Sequence, residues 1–185
     1  LWTPLAELLR QMAVDNDHSR LVRREISNLG ADFSLRKMSE TPALTRLIAN
    51  ALKLCSPVPV VFASSKTAFS IEGVDIPADA VLVAAFHATN QQIVARESGE
   101  PDSASTGVTF GVGRHYCPAA DYVSVILWQF AVRFISTYRL QQLNAEDTPV
   151  LQLKGFFAPQ GCFVKMTRNN AVSTPQHQAQ RVQPS

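Results

Sequence analysis

Residues 110 to 117 read Phe110-Gly111-Val112-Gly113-Arg114-His115-Tyr116-Cys117, and an apolar pattern of helical spacing begins directly after them. The chemistry this stretch can do is ligation through sulfur, because the thiolate rather than the thiol binds metals. A cysteine at the mouth of a helix is readily held as the anion. The helix N-terminus carries partial positive charge, and its first amides lack backbone partners. Two glycines leave the backbone free to turn sharply and to lie against a flat ring, where a Cβ would clash. Such a loop suits the presentation of a thiolate to a flat iron cofactor. A thiolate is the proximal ligand of haem enzymes that cleave the O–O bond.

The other chemically capable side chains form no comparable pattern. His18, His87 and His177 share no metal-ligand spacing with one another or with a cysteine. Asp15, Asp17, Asp102 and Asp121 read as caps and loop residues, and no nucleophile elbow accompanies the Ser, His and Asp types. Cys55 and Cys162 read as small buried hydrophobes, which is also the plain reading of Cys117 when its surroundings are ignored. An odd count of three widely spaced cysteines argues against a disulfide framework and for a reducing compartment, so a cytoplasmic location is expected. The chain of 185 residues is 46% hydrophobic and 17% charged, which is a globular composition for one domain or part of one. A net charge of +2 with no basic cluster beyond Arg20 to Arg24 gives no footing for nucleic acid. No apolar run approaches the roughly 18 residues of a membrane span, and no signal peptide is visible.

The elements that must position the loop can be read in order. Leu5, Leu8, Leu9 and Met12 recur at helical spacing. Asp17 is expected to cap a second helix, with Leu21, Val22 and Ile26 on one face and Leu29-Gly30 ending it. Thr41-Pro42 opens a third, with Leu44, Leu47, Ile48, Ala51, Leu52 and Leu54 inward, until Ser56-Pro57-Val58-Pro59 stops it. Val60 to Phe62, Ala68 to Ile71 and Val81 to His87 read as short strands, with turns at Glu72-Gly73 and Pro77-Ala78-Asp79. Residues 95 to 107 read as loop. After the cysteine, Val123, Ile126, Leu127, Phe130, Val132, Phe134 and Ile135 make an apolar helix to about Tyr138. Val150 to Leu153 and Phe163 to Met166 read as a closing strand pair, and residues 169 to 185, rich in Gln, Ser and Pro, as a disordered tail. The fold class is therefore α+β, mainly helical with a small β region.

The order F-G-x-G-x-H-x-C resembles the haem-binding loop of the cytochrome P-450 (haem-thiolate) family, with five of eight positions in agreement. The resemblance extends along most of the chain. Leu54-x-Ser56-Pro57-Val58-Pro59 resembles the end of the family's K helix and its proline turn. Gly73-Val74-x-Ile76-Pro77-Ala78 resembles its G-x-x-I-P-x-G hairpin, and Ala85 to Asn90 the strand before an A-x-N-R-D segment. Residues 3 to 26 fit the tail of the I helix and the J helix. Residues 1 to 168 are thus expected to form the C-terminal haem-binding part of such a domain, preceded by a missing part in which a membrane anchor is an open alternative. The resemblance implies haem b (iron protoporphyrin IX) with Cys117 as axial ligand to iron, His115 on a haem propionate, Phe110 shielding the sulfur, and Gly111 and Gly113 shaping the loop. Val58 to Phe62 and the stretch near Phe157 are expected to border the substrate pocket.

Several positions depart from the family's pattern. Asn50 and Lys53 stand where the K helix carries E-x-x-R, and lysine does not replace the planar arginine fork. Both are therefore expected to be ordinary helix residues, near the surface or bridged by solvent. The meander between the K helix and the cysteine loop is short, with Arg96 as a possible stand-in for its arginine. Ala63 stands at a propionate-binding arginine position, Asn90-Gln91-Gln92 replaces N-R-D, and Cys117-Pro118-Ala119 replaces C-x-G. The activity implied by the resemblance is monooxygenation of a small apolar substrate, with electrons from a ferredoxin or flavoprotein reductase. The alternatives are a peroxide-rearranging haem-thiolate isomerase or dehydratase, and a degenerate non-catalytic relative.

Overall fold

The computed structural model describes residues 2–14, 16–97, 105–143, 150–153, 157–160 and 164–169. The described residues form five α-helices, four of which supply the core. α1 spans Trp2–Ala13 and α2 spans Asp17–Asn28. The cap of α2 is Asn16, one residue before the expected Asp17. Ser19 N donates to Asn16 Oδ1 at 2.8 Å and Asn16 N donates to Ser19 Oγ at 3.1 Å, a reciprocal capping box. Val22 and Ile26 turn inward as expected, whereas Leu21 stays exposed.

α3 (Pro42–Leu54) is the central element, packed against α1, α2 and α5 (Ala120–Thr137). Its amides at Ala43 and Leu44 donate to the two carboxylate oxygens of Glu25 at 2.9 and 3.0 Å, so a side chain of α2 serves as its N-terminal cap. Thr41 is thereby left for another task. Its hydroxyl donates to Met38 O and accepts from Trp128 Nε1 at 2.8 Å. Trp128, on α5, is fully buried and joins two distant segments, and it belongs to the inward face together with Leu127, Ala131, Val132 and Ile135. The core cluster unites these residues with Leu8, Met12, Val22, Ile26, Leu44, Leu47 and Leu52.

The β structure consists of four antiparallel pairs among the described residues. β1 (Val61–Ser64) pairs with β4 (Val81–Ala84), and between them β2 (Phe69–Ile71) pairs with β3 (Val74–Ile76). Positive φ at Glu72 (50°) and Gly73 (80°) gives the two-residue turn whose twist matches a hairpin. The strand expected to continue to His87 ends at Ala84, and α4 (Phe86–Glu97) follows, covering the start of the stretch read as loop. The apolar run Val81 to Phe86 hides that change of state, since a short apolar run carries no period of its own.

The closing pair also differs from expectation. β6 (Val150–Leu153) pairs with β7 (Phe157–Gln160), and β8 (Val164–Arg168) pairs with β5 (Tyr138–Gln142), which leaves α5 without a linker. Buried Leu140 between polar neighbours is the inward position of β5, and the continuous apolar reading of α5 concealed it. Asn169, expected to begin a disordered tail, instead caps the end of α5, with Nδ2 donating to Ser136 O at 3.0 Å. Residues 170 to 185, Cys162, Phe163 and Asp102 lie outside the described residues, as does the tail reading for 170 to 185.

Candidate functional site

The stretch 105–119 crosses from α4 to α5 as a chain of tight turns. Thr109 N donates to Thr106 O, Gly111 N to Val108 O at 2.9 Å, His115 N to Val112 O and Tyr116 N to Gly113 O. Cys117 N then donates to Phe110 O at 2.7 Å, which closes the loop on itself and fixes the cysteine against the residue seven positions earlier. Cys117 lies three residues before the first residue of α5, and its carbonyl accepts from Ala120 N at 3.2 Å. It is therefore held just outside the helix mouth, with Ala119 as the N-cap. Pro118, between them, has no amide hydrogen to offer.

A cavity of about 550 Å³ opens beside this loop. Cys117, His115, Phe110 and Gly111 line it from the loop, and Val123 from α5. Pro57, Val58 and Val61 from the proline turn and β1, together with Ala84, the partner of Val61 across the β1–β4 pair, and Phe86 at the start of α4, add to the lining. The lining is apolar apart from Thr109, His115 and the sulfur. Four of the five expected cofactor residues are thus brought together, and Val58 and Val61 of the expected substrate border join them. Gly113 stands outside the lining. Phe110 is half-buried and meets Tyr116 edge to face, with ring centroids 6.5 Å apart.

The two loop glycines are not equivalent. Gly111 has φ 79°, and a Cβ there would stand 2.7 Å from His115 O. Gly113 has φ 58° with nothing within 4 Å of that point. The remaining cysteine among the described residues, Cys55, is fully buried, and desolvation pushes its thiol up to about 12, reinforced by the Glu7 carboxylate and opposed by Arg10. A thiol pushed up that far stays protonated at neutral pH. His18 and His87 are each held below the usual imidazole range by desolvation, and neither lines this cavity.

Lys53 was expected near the surface and is fully buried. The reason is the position of α3, which is enclosed on nearly every side, so that Ala49, Ala51, Leu52 and Lys53 are all covered. The aliphatic stem of Lys53 packs beside Gly107, on the strand of loop that leads to Phe110. Asn50 is half-buried and borders a second cavity of about 440 Å³ with Arg10 and His18. Arg96 is exposed in the last turn of α4, so it takes no buried role. Lys53→Ala should therefore lower stability by about 2 kcal/mol or more, through lost packing of a long stem and the void it leaves. Denaturant unfolding would measure this, and a change within about 0.5 kcal/mol would return Lys53 to the status of a surface residue.

The residues whose buried role the sequence did not disclose are Asn90 and Thr109. Asn90 is fully buried on α4, its Nδ2 donating to Thr109 Oγ1 at 2.9 Å and its Oδ1 accepting from Val108 N at 2.9 Å. Thr109 Oγ1 donates to Leu52 O, near the end of α3, at 3.1 Å. The mismatch of Asn90-Gln91-Gln92 with N-R-D drew attention to what was missing there rather than to the asparagine that was present.

No protein-family model matches the chain. Among curated proteins it is similar to cytochrome P-450 family 716 subfamily AD polypeptide 2 of Citrus sinensis, 23% identical over 148 residues. That match covers 74% of this chain and 30% of the relative, so the chain spans about a third of the length of the curated protein it matches. Among solved structures it is similar to the crystal structure of a cytochrome P-450, with a TM-score of 0.74 at 17% identity, over 90% of this chain and 42% of that one. A zebrafish cytochrome P-450 solved with abiraterone is similar at a TM-score of 0.74 and 16% identity, over 90% and 44% of the two chains. The chain thus has the fold of a C-terminal part of a cytochrome P-450.

Proposed function

We propose that this chain is the cofactor-binding part of a haem-thiolate protein, with Cys117 as the axial ligand of haem iron and monooxygenation of an apolar substrate as the activity of the whole protein. The observation that supports this most is the presence of Cys117 and His115 together in the lining of a cavity that is otherwise apolar except for Thr109, in a chain with the fold of the resembled family. The residues present fit the group. A soft sulfur donor stands on one side, aliphatic and aromatic side chains provide a lining for the ring faces, and Gly111 keeps the loop backbone compact.

Bound haem would supply one-electron and dioxygen chemistry, and a thiolate ligand adds electron density that favours O–O cleavage. The chain's own residues have narrower tasks. Cys117 presents the sulfur, fixed through its amide to Phe110 O. His115, an exposed residue of the lining, would donate to a propionate. Phe110 and Val123 keep water from the sulfur side. Val58, Val61 and Phe86 form the apolar wall that an organic substrate would approach. A ferredoxin or flavoprotein reductase would supply electrons at the outer surface of the loop, where Arg114 is exposed.

The test is the spectrum of the reduced, carbon-monoxide-bound holoprotein. A thiolate-type Soret band is expected. A band of the nitrogen-ligated type, or no stoichiometric haem after reconstitution, would overturn the proposal. Haem-thiolate binding without oxygen insertion when electrons are supplied, but with turnover of an organic hydroperoxide, would move the activity to the isomerase class and leave the ligation intact.

A further inference from the structure

Asn90 stands at the N of the resembled family's N-R-D segment, before Gln91 and Gln92 depart from it, and it sits at the junction of three elements that build the cavity. It is fully buried on α4. Its carbonyl oxygen accepts from Val108 N and its amide nitrogen donates to Thr109 Oγ1, both at 2.9 Å. A main-chain N–H can only donate, so the partner at Val108 fixes which end of the amide is oxygen. Thr109 is 6% exposed and passes the connection on, its hydroxyl donating to Leu52 O of α3 at 3.1 Å. The chain at Gly107 lies so close over the amide that a Cβ there would overlap Asn90 Oδ1, and it also touches the stem of Lys53. α4, α3 and the start of the cysteine loop are therefore joined by neutral hydrogen bonds in a buried place. Residue 109 lines the cavity and adjoins Phe110, whose carbonyl holds the Cys117 amide at 2.7 Å.

We propose that Asn90, acting through Thr109, is a positioning residue that sets the place of the Cys117 sulfur. It braces the loop to α3 without the charged pair whose positions here are Asn50 and Lys53. The inference rests on the proposed haem-thiolate reading for its consequence, while the brace itself can be tested apart from haem. A shift of residues 108–110 reaches Cys117 through a single hydrogen bond, so loosening the brace lets the sulfur leave its position before the core unfolds. The side-chain amide is suited to this, because removing it takes the partner from the half-buried Val108 N–H and the donor from the buried Thr109 hydroxyl at once.

The experiment uses the full-length protein and three variants, Asn90→Leu, Thr109→Val and Thr109→Ser. Two readouts are taken from each, amide hydrogen exchange by mass spectrometry and the reduced carbon monoxide spectrum. Asn90→Leu and Thr109→Val should speed exchange in peptides covering 107–111 by about tenfold, the factor expected from losing one net hydrogen bond. Exchange in the core of α5 around Trp128 should stay nearly constant. Both variants should also convert a large part of the thiolate-type band to the form in which the sulfur is lost. Thr109→Ser keeps the hydroxyl and should resemble the unsubstituted protein in both readouts. Unchanged exchange at 107–111 would overturn the brace. A uniform rise through α3, α4 and α5 would overturn it as well, since that is general loss of stability. Faster local exchange with an intact thiolate band would overturn the link to the sulfur. If the unsubstituted protein shows no thiolate band, the functional proposal fails, and the exchange result still decides whether Asn90 holds the loop.

Discussion

Cys117→Ala should abolish the thiolate-type band of the reduced carbon monoxide complex, and Cys55→Ala should leave it in place. The difference follows from where the two sulfurs stand. Cys117 lines the cavity, half-buried, at the end of a loop closed by its own amide. Cys55 is fully buried under the last turn of α3, where desolvation and the nearby Glu7 carboxylate push its thiol up to about 12. A thiol held that high offers no thiolate at neutral pH. With Cys117 as the proposed axial ligand, its removal would take away the anchor of the cofactor, so haem content should fall along with the band. Cys117→His would supply a nitrogen donor from the same backbone position and is expected to recover part of the haem with a different Soret maximum. Persistence of the original band in Cys117→Ala would end the assignment. Loss of it in Cys55→Ala, with haem retained, would give the ligand role to Cys55 instead.

Much of this site is visible in the sequence because its determinants are local. The loop's turns need glycine at 111, the cysteine needs a helix after it, and the proline turn at 57–59 needs no partner to be recognised. Each is fixed by neighbours within a few residues, so residue type and spacing suffice. What escapes is set by residues far apart in the chain. Asn90 reaches Val108 and Thr109, Trp128 reaches Thr41, and Glu25 reaches the amides of Ala43 and Leu44. An asparagine in a weakly amphipathic helix gives no sign that its amide is buried. Lys53 shows the same limit from the opposite side. Its type predicts exposure, and the enclosure of α3 by other helices overrides that preference. The exchange of strand partners at the end of the chain has a related cause, since pairing between short strands is chosen by register and packing that no single segment specifies.

Gly111→Ala should be far more damaging than Gly113→Ala, although a motif reading treats the two glycines alike. Both have positive φ, 79° and 58°, and an alanine in that region costs about 1 kcal/mol at either position. At Gly113 nothing stands within 4 Å of the new methyl, so that backbone cost is the whole effect. At Gly111 the methyl would be 2.7 Å from His115 O and 3.5 Å from its carbonyl carbon. Those atoms are backbone, and they are held. His115 and Tyr116 sit in a turn tied by Tyr116 N to Gly113 O, and the next residue is tied by Cys117 N to Phe110 O. The turn therefore cannot yield by a side-chain rotation, and relief of the overlap must come from opening the loop. Overpacking against fixed neighbours adds about 1–3 kcal/mol to the backbone cost, for a total of about 2–4 kcal/mol. Opening the loop breaks the bond that holds Cys117, so the expected result is loss of thiolate ligation in a protein whose α3–α5 core remains folded. Far-ultraviolet circular dichroism and the reduced carbon monoxide spectrum, taken together on both variants, separate these effects. Gly113→Ala should keep the band with a small drop in melting temperature. If Gly111→Ala proves equally mild, the close approach of the 111 backbone to His115 O is not what holds the cysteine in place.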